Sequence, residues 1–470
     1  MKKKFKVIVI GSGPGGSVTT KVISDKGVDV LLIEMGNSFK INNPLPYSSD
    51  EMSNKYKYGG LSLAFGKTNI NYAEGKCLGG GSEVNSGLYH RVPDQILKNW
   101  ELKNNLKINR KELQKSYEEN ERELSVSFSP DFVSKSSKKM IEGCNSLGWK
   151  CVEVPRWFKY SGKTNKGIRQ SMTETLIPKI KKNGGKILDN AKVFKITKRG
   201  KLNVVHLIHE RELKEFECEY LFVCGGSINS PFLLQKSGFK GGIGKGLKLH
   251  PSFKITALFK EEVYSEDFDV SVHQVKEFSP KISMGSSISN KHWLGLSLND
   301  SNSLKYLDEW KKMSSYYTMI SPEGSGRVWN VPFFTDPLVT YKLTNNDYYY
   351  LNKGINLLSK LLFESGAVSL FPTGKETEVI SKYEDTFKIN IIPKNLLKLM
   401  TIHLFSSIQI SGNKKLGPLN EDGHLWNDDT IYVNDGSILP DSPSVNPQGI
   451  IMALARINAN KFLNRIKNEF

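Results

Sequence analysis

The run Val7-Ile8-Val9-Ile10 stops at Gly11-Ser12-Gly13-Pro14-Gly15-Gly16, and that junction restricts the folds open to this chain more than any other stretch. Four successive branched aliphatics read as a strand buried on both faces, the setting of a parallel sheet covered by helices. The loop fits G-x-G-x-x-G at Gly11, Gly13 and Gly16, with Pro14 and Gly15 between. The pattern predicts a helix over Ser17 to Lys26 that ends at Gly27, a good left-handed C-terminal residue. A second apolar strand, Val30 to Ile33, finishes at Glu34. Gly11 permits the tight turn, Gly13 lets backbone amides approach a pyrophosphate, and Gly16 lets helix pack on strand. The helix N-terminus adds unpaired N–H groups and a partial positive charge for phosphates. Glu34 lies 18 residues beyond Gly16, near the roughly 20 expected of a carboxylate that accepts ribose hydroxyl bonds. A carboxylate there repels a 2′-phosphate, which disfavours NADP. The unit thus predicts a dinucleotide site and leaves FAD and NAD both open.

Size and charge narrow the class. At 470 residues the length suits roughly three domains or one large two-lobed enzyme. No apolar run approaches the roughly 18 residues that span a bilayer. Met1-Lys2-Lys3-Lys4 imitates a signal peptide, but the apolar part before Gly11 is too short and reads as the first strand. Five cysteines form no C-x-x-C and leave an odd count. That argues against a disulfide scaffold, zinc or a flavin disulfide reductase; no metal is expected, and a reducing cytoplasm fits. The net charge of +18 allows an anionic substrate, a membrane surface or nucleic acid. The lysines are scattered, without a basic stripe interleaved with aromatics, so they read as a solvated surface. No nucleic-acid partner is expected, and at most a weak membrane-surface contact.

A second glycine-rich stretch, Gly75 to Pro93, reads GKCLGGGSEVNSGLYHRVP. Gly79-Gly80-Gly81-Ser82 offers backbone bare enough for a flat ring or a pyrophosphate. The opening cradle together with G-K-x-L-G-G-G-S-x-x-N and Arg91 resembles the glucose–methanol–choline (GMC) flavin oxidoreductases. The resemblance implies FAD, with Gly79, Gly80, Gly81 and Ser82 along its diphosphate and flavin edge and Asn85 near the isoalloxazine. It also implies that Val193 meets the adenine through its backbone. Tyr220 to Cys224 reads as another buried strand; Gly225-Gly226-Ser227 follows, and Asn229-Ser230-Pro231 is read as opening a helix that stops at Gly238. This resembles the family's G-x-x-x-[ST]-P-x-L-L-x-x-S-G signature. Gly244 to Pro251 resembles the turn leaving the flavin domain, where His250 is read as structural. Ile431 to Pro440 looks like the last flavin-domain strand, ending on Asp435-Gly436-Ser437. Asn446-Pro447-Gln448 then opens a helix over Ile450 to Phe462, whose N-terminus would stabilise negative charge on the reduced ring.

Between these motifs the pattern is plainer. Asn37 to Gly60 shows no regular structure. Residues 100 to 165 read as polar and helical, with Asn109 and Glu112 a capping pair and Met140 and Cys144 on a core face. A helix is expected over Ser171 to Lys182. Leu351, Ile355, Leu358 and Leu362 mark one amphipathic helix. Alternation from Phe253 to about Lys398 suggests antiparallel strands, which in the family roof the substrate pocket. Trp293, Trp310, Tyr316, Tyr317, Trp329, Phe333 and Phe334 read as core or pocket lining.

Alcohol oxidation needs a near-neutral base, and histidine fits best among the eight present. His403 resembles the family's active-site histidine, and Asn446 its [NH]-P partner. The fold class expected is α/β: a Rossmann-like FAD-binding domain (1–95, 166–255, 425–470), discontinuous in sequence. A mostly antiparallel substrate domain with helices (96–165, 256–424) accompanies it. The function expected is non-covalent-FAD-dependent oxidation of a small or lipid-like alcohol, with hydride passing to flavin N5 and oxygen or another acceptor reoxidising the flavin. The rivals are another reaction class on the same fold (lyase, isomerase, decarboxylase) and a non-catalytic flavin-binding module. An NAD-only dehydrogenase leaves Gly79 to Gly81 and the Asn446-Pro447 helix without a role.

Overall fold

The fold comes from a computed structural model, which describes all residues except 1–2, 41–42, 46–47, 131–132, 161–166, 265–271, 299–300, 375–376, 391–392 and 468–470. Parts of the Asn37 to Gly60 connection and the end of the 100–165 stretch therefore lie outside the described residues.

Among the described residues, an eight-stranded sheet is built around Lys4–Ile10. Val30–Ile33 pairs parallel on one side and Glu212–Val223 on the other, and the last turns of the latter also run parallel to Asp428–Val433. Val7, Ile8, Val9, Leu31 and Leu32 are wholly buried, as a doubly covered parallel sheet requires. Helices Pro14–Ser24 and Gln448–Arg465 pack together, and Asn434 ties them: its amide donates to Thr19 Oγ1 (2.8 Å) and to the carbonyl of Ala455 (2.9 Å). Helix Arg110–Glu123 is clamped on the outside, where buried Arg456 meets Glu119 and Glu123. Ala191–Arg199, Leu202–His209 and the first half of Glu212–Val223 extend the sheet as antiparallel strands.

A nine-stranded, mostly antiparallel sheet forms the second layer system. Its centre is Ser252–Phe259, flanked by Met313–Ile320 and Ala367–Pro372; Ile282–Ser286, His273–Val275 and Cys151–Glu153 continue it outward. Phe253, Ile255, Ala257 and Phe259 face helix Asn345–Glu364, which buries Leu351, Ile355, Leu358 and Leu362 against them. The architecture is the α/β arrangement expected, a parallel nucleotide-type sheet beside a mostly antiparallel one.

Several local expectations are corrected. The first helix begins at Pro14 rather than Ser17 and stops at Ser24, because proline suits the first turn; Gly27 then takes φ +71°. The helix after Cys224 spans Gly226–Lys236 and contains Pro231 instead of opening on it. The carbonyl that Pro231 cannot serve, Ser227 O, accepts the Ser407 hydroxyl at 2.6 Å, which offsets the lost helical bond. Helix Leu176–Lys182 is half the length expected, since Glu83 holds Ser171 Oγ and Thr173 Oγ1 at 3.0 Å each. Helix Ser49–Lys55, capped by Ser48, interrupts a stretch read as irregular, and Cys151–Glu153 and Arg156–Tyr160 are strands within a stretch read as helical. Of the aromatics, Tyr316 is core, whereas Phe333 and Phe334 are exposed.

Candidate active site

Both glycine turns open onto one cavity of about 930 Å³, within the usual size of a cofactor or ligand site. Gly11, Gly13, Pro14 and Gly15 form one wall. A Cβ built on Gly13 meets no protein atom within 4 Å, so the missing side chain is space inside the cavity. Gly16 differs: its Cβ would stand 1.9 Å from the carbonyl oxygen of Gly11, so it serves helix-to-strand packing and does not reach the wall. Ser12 joins three pieces. Its amide and hydroxyl donate to Glu34 Oε2 (2.9 and 2.7 Å), and its hydroxyl accepts from the Gly79 amide (2.9 Å). Glu34 also accepts from the Gly36 amide at 2.9 Å and lines the cavity; burial pushes its carboxyl up, and these bonds oppose that shift.

Gly80 and Gly81 face the cavity, but Gly79 and Ser82 do not. Gly79 (φ +93°) makes the turn, and wholly buried Ser82 braces it by donating to Gly79 O (2.8 Å) and accepting from Met172 N (3.1 Å). Asn85 and Gln448 are both on the wall and bonded to each other, Nδ2 to Oε1, 2.8 Å. Arg91 points elsewhere, onto Glu121 at 2.6 Å. Val193 reaches the cavity from a bulge in Ala191–Arg199. Gly225, Asp435 and Gly436 complete the floor. Asp435 is a hub there, accepting from Gly226 N (2.8 Å), Ser230 Oγ (2.5 Å) and Ser437 N (2.8 Å). It thereby locks the Gly225-Gly226 turn to the end of Asp428–Val433. These features fit FAD: bare main chain and a helix N-terminus for phosphates, and a carboxylate with a lone pair of Oε1 left for a ribose hydroxyl.

At the far end stand Ile402, His403, Leu404, Asn446 and Pro447. Residues 404–410 run along 436–438, with Ser406 N to Gly436 O (3.1 Å) and Ile408 N to Ser437 O (2.9 Å), while Thr401 Oγ1 accepts from His403 N at 3.0 Å. This brings Asn446 Nδ2 to His403 Nε2 at 3.2 Å. Nδ1 of His403 faces Nδ1 of His250 at 3.1 Å, and Nε2 of His250 meets Ser442 Oγ at 2.8 Å. Donation from Asn446 leaves Nε2 of His403 the acceptor, so its proton sits on Nδ1 and passes a hydrogen bond to His250. Burial pulls His403 down to about 4, and the Lys276 ammonium pulls it in the same direction. His250 is lowered by burial, then by His403 and Lys276. Both rings are therefore neutral at pH 7.

Three features of the site escape sequence reasoning. His250 is 1 % exposed and directly bonded to the candidate base; reading it as structural alone overlooks this contact. Ser12 is an unspecified position in the fingerprint. Lys57 and Glu74, 3.6 Å apart on the wall, with Lys57 also donating to Asn229 at 2.8 Å, come from stretches without any motif.

Comparison with known proteins agrees with this geometry. A model described as GMC oxidoreductase matches residues 9–252, and a second with the same description matches 334–455. A GMC-type oxidoreductase of Sinorhizobium fredii, itself uncharacterised, is 32 % identical over 98 % of this chain and 95 % of its own. A long-chain-alcohol oxidase of Arabidopsis thaliana is 24 % identical, covering 96 % of this chain and 67 % of that one. Pyridoxine 4-oxidase from Mesorbium loti superposes with a TM-score of 0.77 at 15 % identity, over 98 % of this chain and 99 % of that one, a likeness of fold. Two glycine turns on one cavity, a histidine–asparagine pair at its end and family matches over both halves make this chain a GMC oxidoreductase.

Proposed function

We propose that this oxidoreductase oxidises a CH–OH group, with FAD held non-covalently and with His403 and Asn446 acting on the hydroxyl. The carrying observation is the 3.2 Å contact between His403 and Asn446 on the wall of the cavity that both glycine turns enter. The likeness to a long-chain-alcohol oxidase and, in fold, to pyridoxine 4-oxidase supports an alcohol-type donor.

In this reading Gly11, Gly13, Pro14 and Gly15 hold the diphosphate, Glu34 the ribose hydroxyls, and the Val193 backbone the adenine. Gly80, Gly81, Asn85, Gly225, Asp435, Gly436, Pro447 and Gln448 surround the remainder, while Gly16, Gly79 and Ser82 shape the turns behind them. Once held, FAD supplies the acceptor for a hydride from the carbinol carbon. Nε2 of His403 takes the hydroxyl proton, and the imidazole is free to do so because burial keeps it neutral. Asn446, which meets Nε2 in the free protein, turns to donate to the alcohol oxygen. His250 fixes the tautomer of His403 through Nδ1. The FAD-binding domain comprises 1–95, 166–255 and 425–470, and the substrate domain 96–165 and 256–424.

The test is an anaerobic panel of alcohols mixed with flavin-loaded protein, followed by admission of air. Bleaching of flavin absorbance by at least one alcohol is expected, with acid precipitation releasing the flavin. Protein that stays colourless after incubation with excess FAD, or yellow protein that no alcohol bleaches, overturns the proposal.

A further inference from the structure

The nine-stranded sheet has two unlike faces. One is the apolar face packed under Asn345–Glu364, carrying Phe253, Ile255, Tyr316, Ile320, Ile282, Met284 and Val275. Residues between them point the other way. The pairing register puts Val152, Gln274, Gly285, Tyr317 and Lys254 in one row across five strands. The next row holds Ser283, Met319, Ser252 and Met400, and the same register carries Lys276 opposite Ser283. Contacts agree: Lys276 Nζ donates to Ser283 Oγ at 3.3 Å, and Gln274 Nε2 donates to Tyr317 OH at 2.9 Å. Met400 precedes Ile402 and His403 on the cavity wall by two and three residues, so the second row leads to the candidate base.

This face is polar and cationic. Lys276 and Lys254 have no carboxylate partner among the described residues; Lys276 has only Ser283, and Lys254 lies 5.9 Å from the Trp293 ring centroid. Burial lowers both ammonium groups to about 8, which leaves them charged at pH 7. Lys276 acts electrostatically on His403, His250 and His90 together. Both ring nitrogens of His90 and Oε1 of Gln274 are out of solvent, and the two side chains meet each other, a contact that opposes the lowering of His90 by burial. Half-buried cations without a counter-charge are costly unless something pairs with them.

Building on the proposed alcohol oxidation, we infer that the substrate is an alcohol bearing an anionic group, carboxylate or phosphate monoester, whose hydroxyl lies at His403 and whose anion pairs with Lys276. Gln274 and His90 stand beside Lys276, and Lys254 adds a second positive charge further along the row. An anion at Lys276 also offsets the charge that depresses His403, so binding sharpens the base it needs.

The test pairs alcohols that differ only in charge. Benzyl alcohol is set against 4-(hydroxymethyl)benzoate, and 1-hexanol against 6-hydroxyhexanoate and 6-hydroxyhexyl phosphate, each scored by anaerobic flavin reduction in the holoenzyme. At least one charged member should exceed its neutral partner in kcat/KM by about 10- to 100-fold, the worth of one hydrogen bond to a charged group; the carboxylate and phosphate arms decide between the two anions. Lys276→Met should erase the ratio mainly through KM and move the acid limb of kcat/KM to higher pH, and Lys276→Arg should restore it. Flavin content and far-ultraviolet circular dichroism check that both variants are folded. Benzoate, which cannot be oxidised, should perturb the flavin spectrum of the wild type and not of Lys276→Met. If benzoate binds in this Lys276-dependent way while no alcohol reduces the flavin, the anion site stands and alcohol oxidation falls. If neutral and charged alcohols react alike, or Lys276→Met leaves the ratio and benzoate binding unchanged, the anion site is refuted.

Discussion

Two glycines three residues apart should fail in opposite ways. Gly13 sits at φ −59°, ψ −179°, extended backbone open to any residue, and a Cβ there contacts no protein atom within 4 Å. Gly13→Val should therefore leave the apoprotein close to wild-type stability. An aliphatic side chain at a helix N-cap forfeits about 0.5 to 1 kcal/mol, and loss of glycine's freedom in the unfolded chain returns about as much, so the net change stays within about 1 kcal/mol. In the flavin-loaded protein the same side chain occupies the space left for a diphosphate. Displacing two charge-assisted hydrogen bonds costs about 3 to 6 kcal/mol, roughly 100- to 10,000-fold in affinity. Gly16→Ala reverses the pattern, because its Cβ would stand 1.9 Å from Gly11 O and 3.1 Å from the Cys224 side chain. Backbone must move apart there, at about 3 kcal/mol or more. The assay is visible flavin absorbance per polypeptide together with thermal melts of stripped apoproteins, since bound flavin would itself raise the melting temperature. Gly13→Val should be colourless and melt like wild type, and Gly16→Ala should melt early even without flavin. Stoichiometric flavin in Gly13→Val, or a wild-type melt for Gly16→Ala, refutes the division of labour between the two positions.

Other outcomes follow from the histidine cluster. His403→Ala should keep its flavin yet lose about 100- to 10,000-fold in the rate of substrate-driven bleaching, the usual worth of a general base; near-normal bleaching excludes it as the base. His250→Ala should slow bleaching about 3- to 10-fold and alter the pH profile by releasing the tautomer, and His250→Asn should recover part of the rate; an unchanged profile leaves His250 as packing alone. Stability should fall with acid. His403 has a folded value of about 4 against 6.5 unfolded, so between these pH values the unfolded chain binds more protons, and about 3 kcal/mol present above pH 6.5 is lost on descending to pH 4. His90 and His250 are shifted in the same direction. Denaturant titrations at pH 7 and 5 should differ for the wild type by more than for His403→Asn, and equal differences would contradict the burial argument.

How far the sequence discloses such a site depends on whether a residue's role is local. The cradle was legible because its parts are contiguous: an apolar strand, glycines at fixed offsets and an acidic end lie within one βαβ unit, and backbone geometry dictates each residue type. Helix Asn345–Glu364 was legible for a similar reason, since its buried stripe repeats at helical spacing. Boundaries went astray where a distant residue decided them. Ser407 supplies the bond that lets Gly226–Lys236 run through Pro231, and Glu83 captures the residues that would otherwise begin the helix ending at Lys182. Neither partner lies within 80 residues of what it changes, so no window of sequence contains the cause.

The same reasoning separates the two ends of the site. His403 and Asn446 could be proposed because each lies in a motif, whereas Lys254, Gln274 and Tyr317 sit in plain alternating strands and Lys276 directly follows one, where a lysine reads as a solvated position. Alternation reports only that two faces differ. Which face is outside depends on the layer packed against it, and here helix Asn345–Glu364 takes the apolar side, turning the lysines toward the histidines. Chemistry common to a family is thus written in motifs that local geometry enforces, while the selectivity of one member is written in sheet register. A sequence with the same motifs but with Lys254 and Lys276 replaced by leucine should keep the fold, since the register does not depend on them, and should lose the preference for charged alcohols. Retention of that preference in a folded, flavin-loaded double leucine variant would show that charge elsewhere sets it.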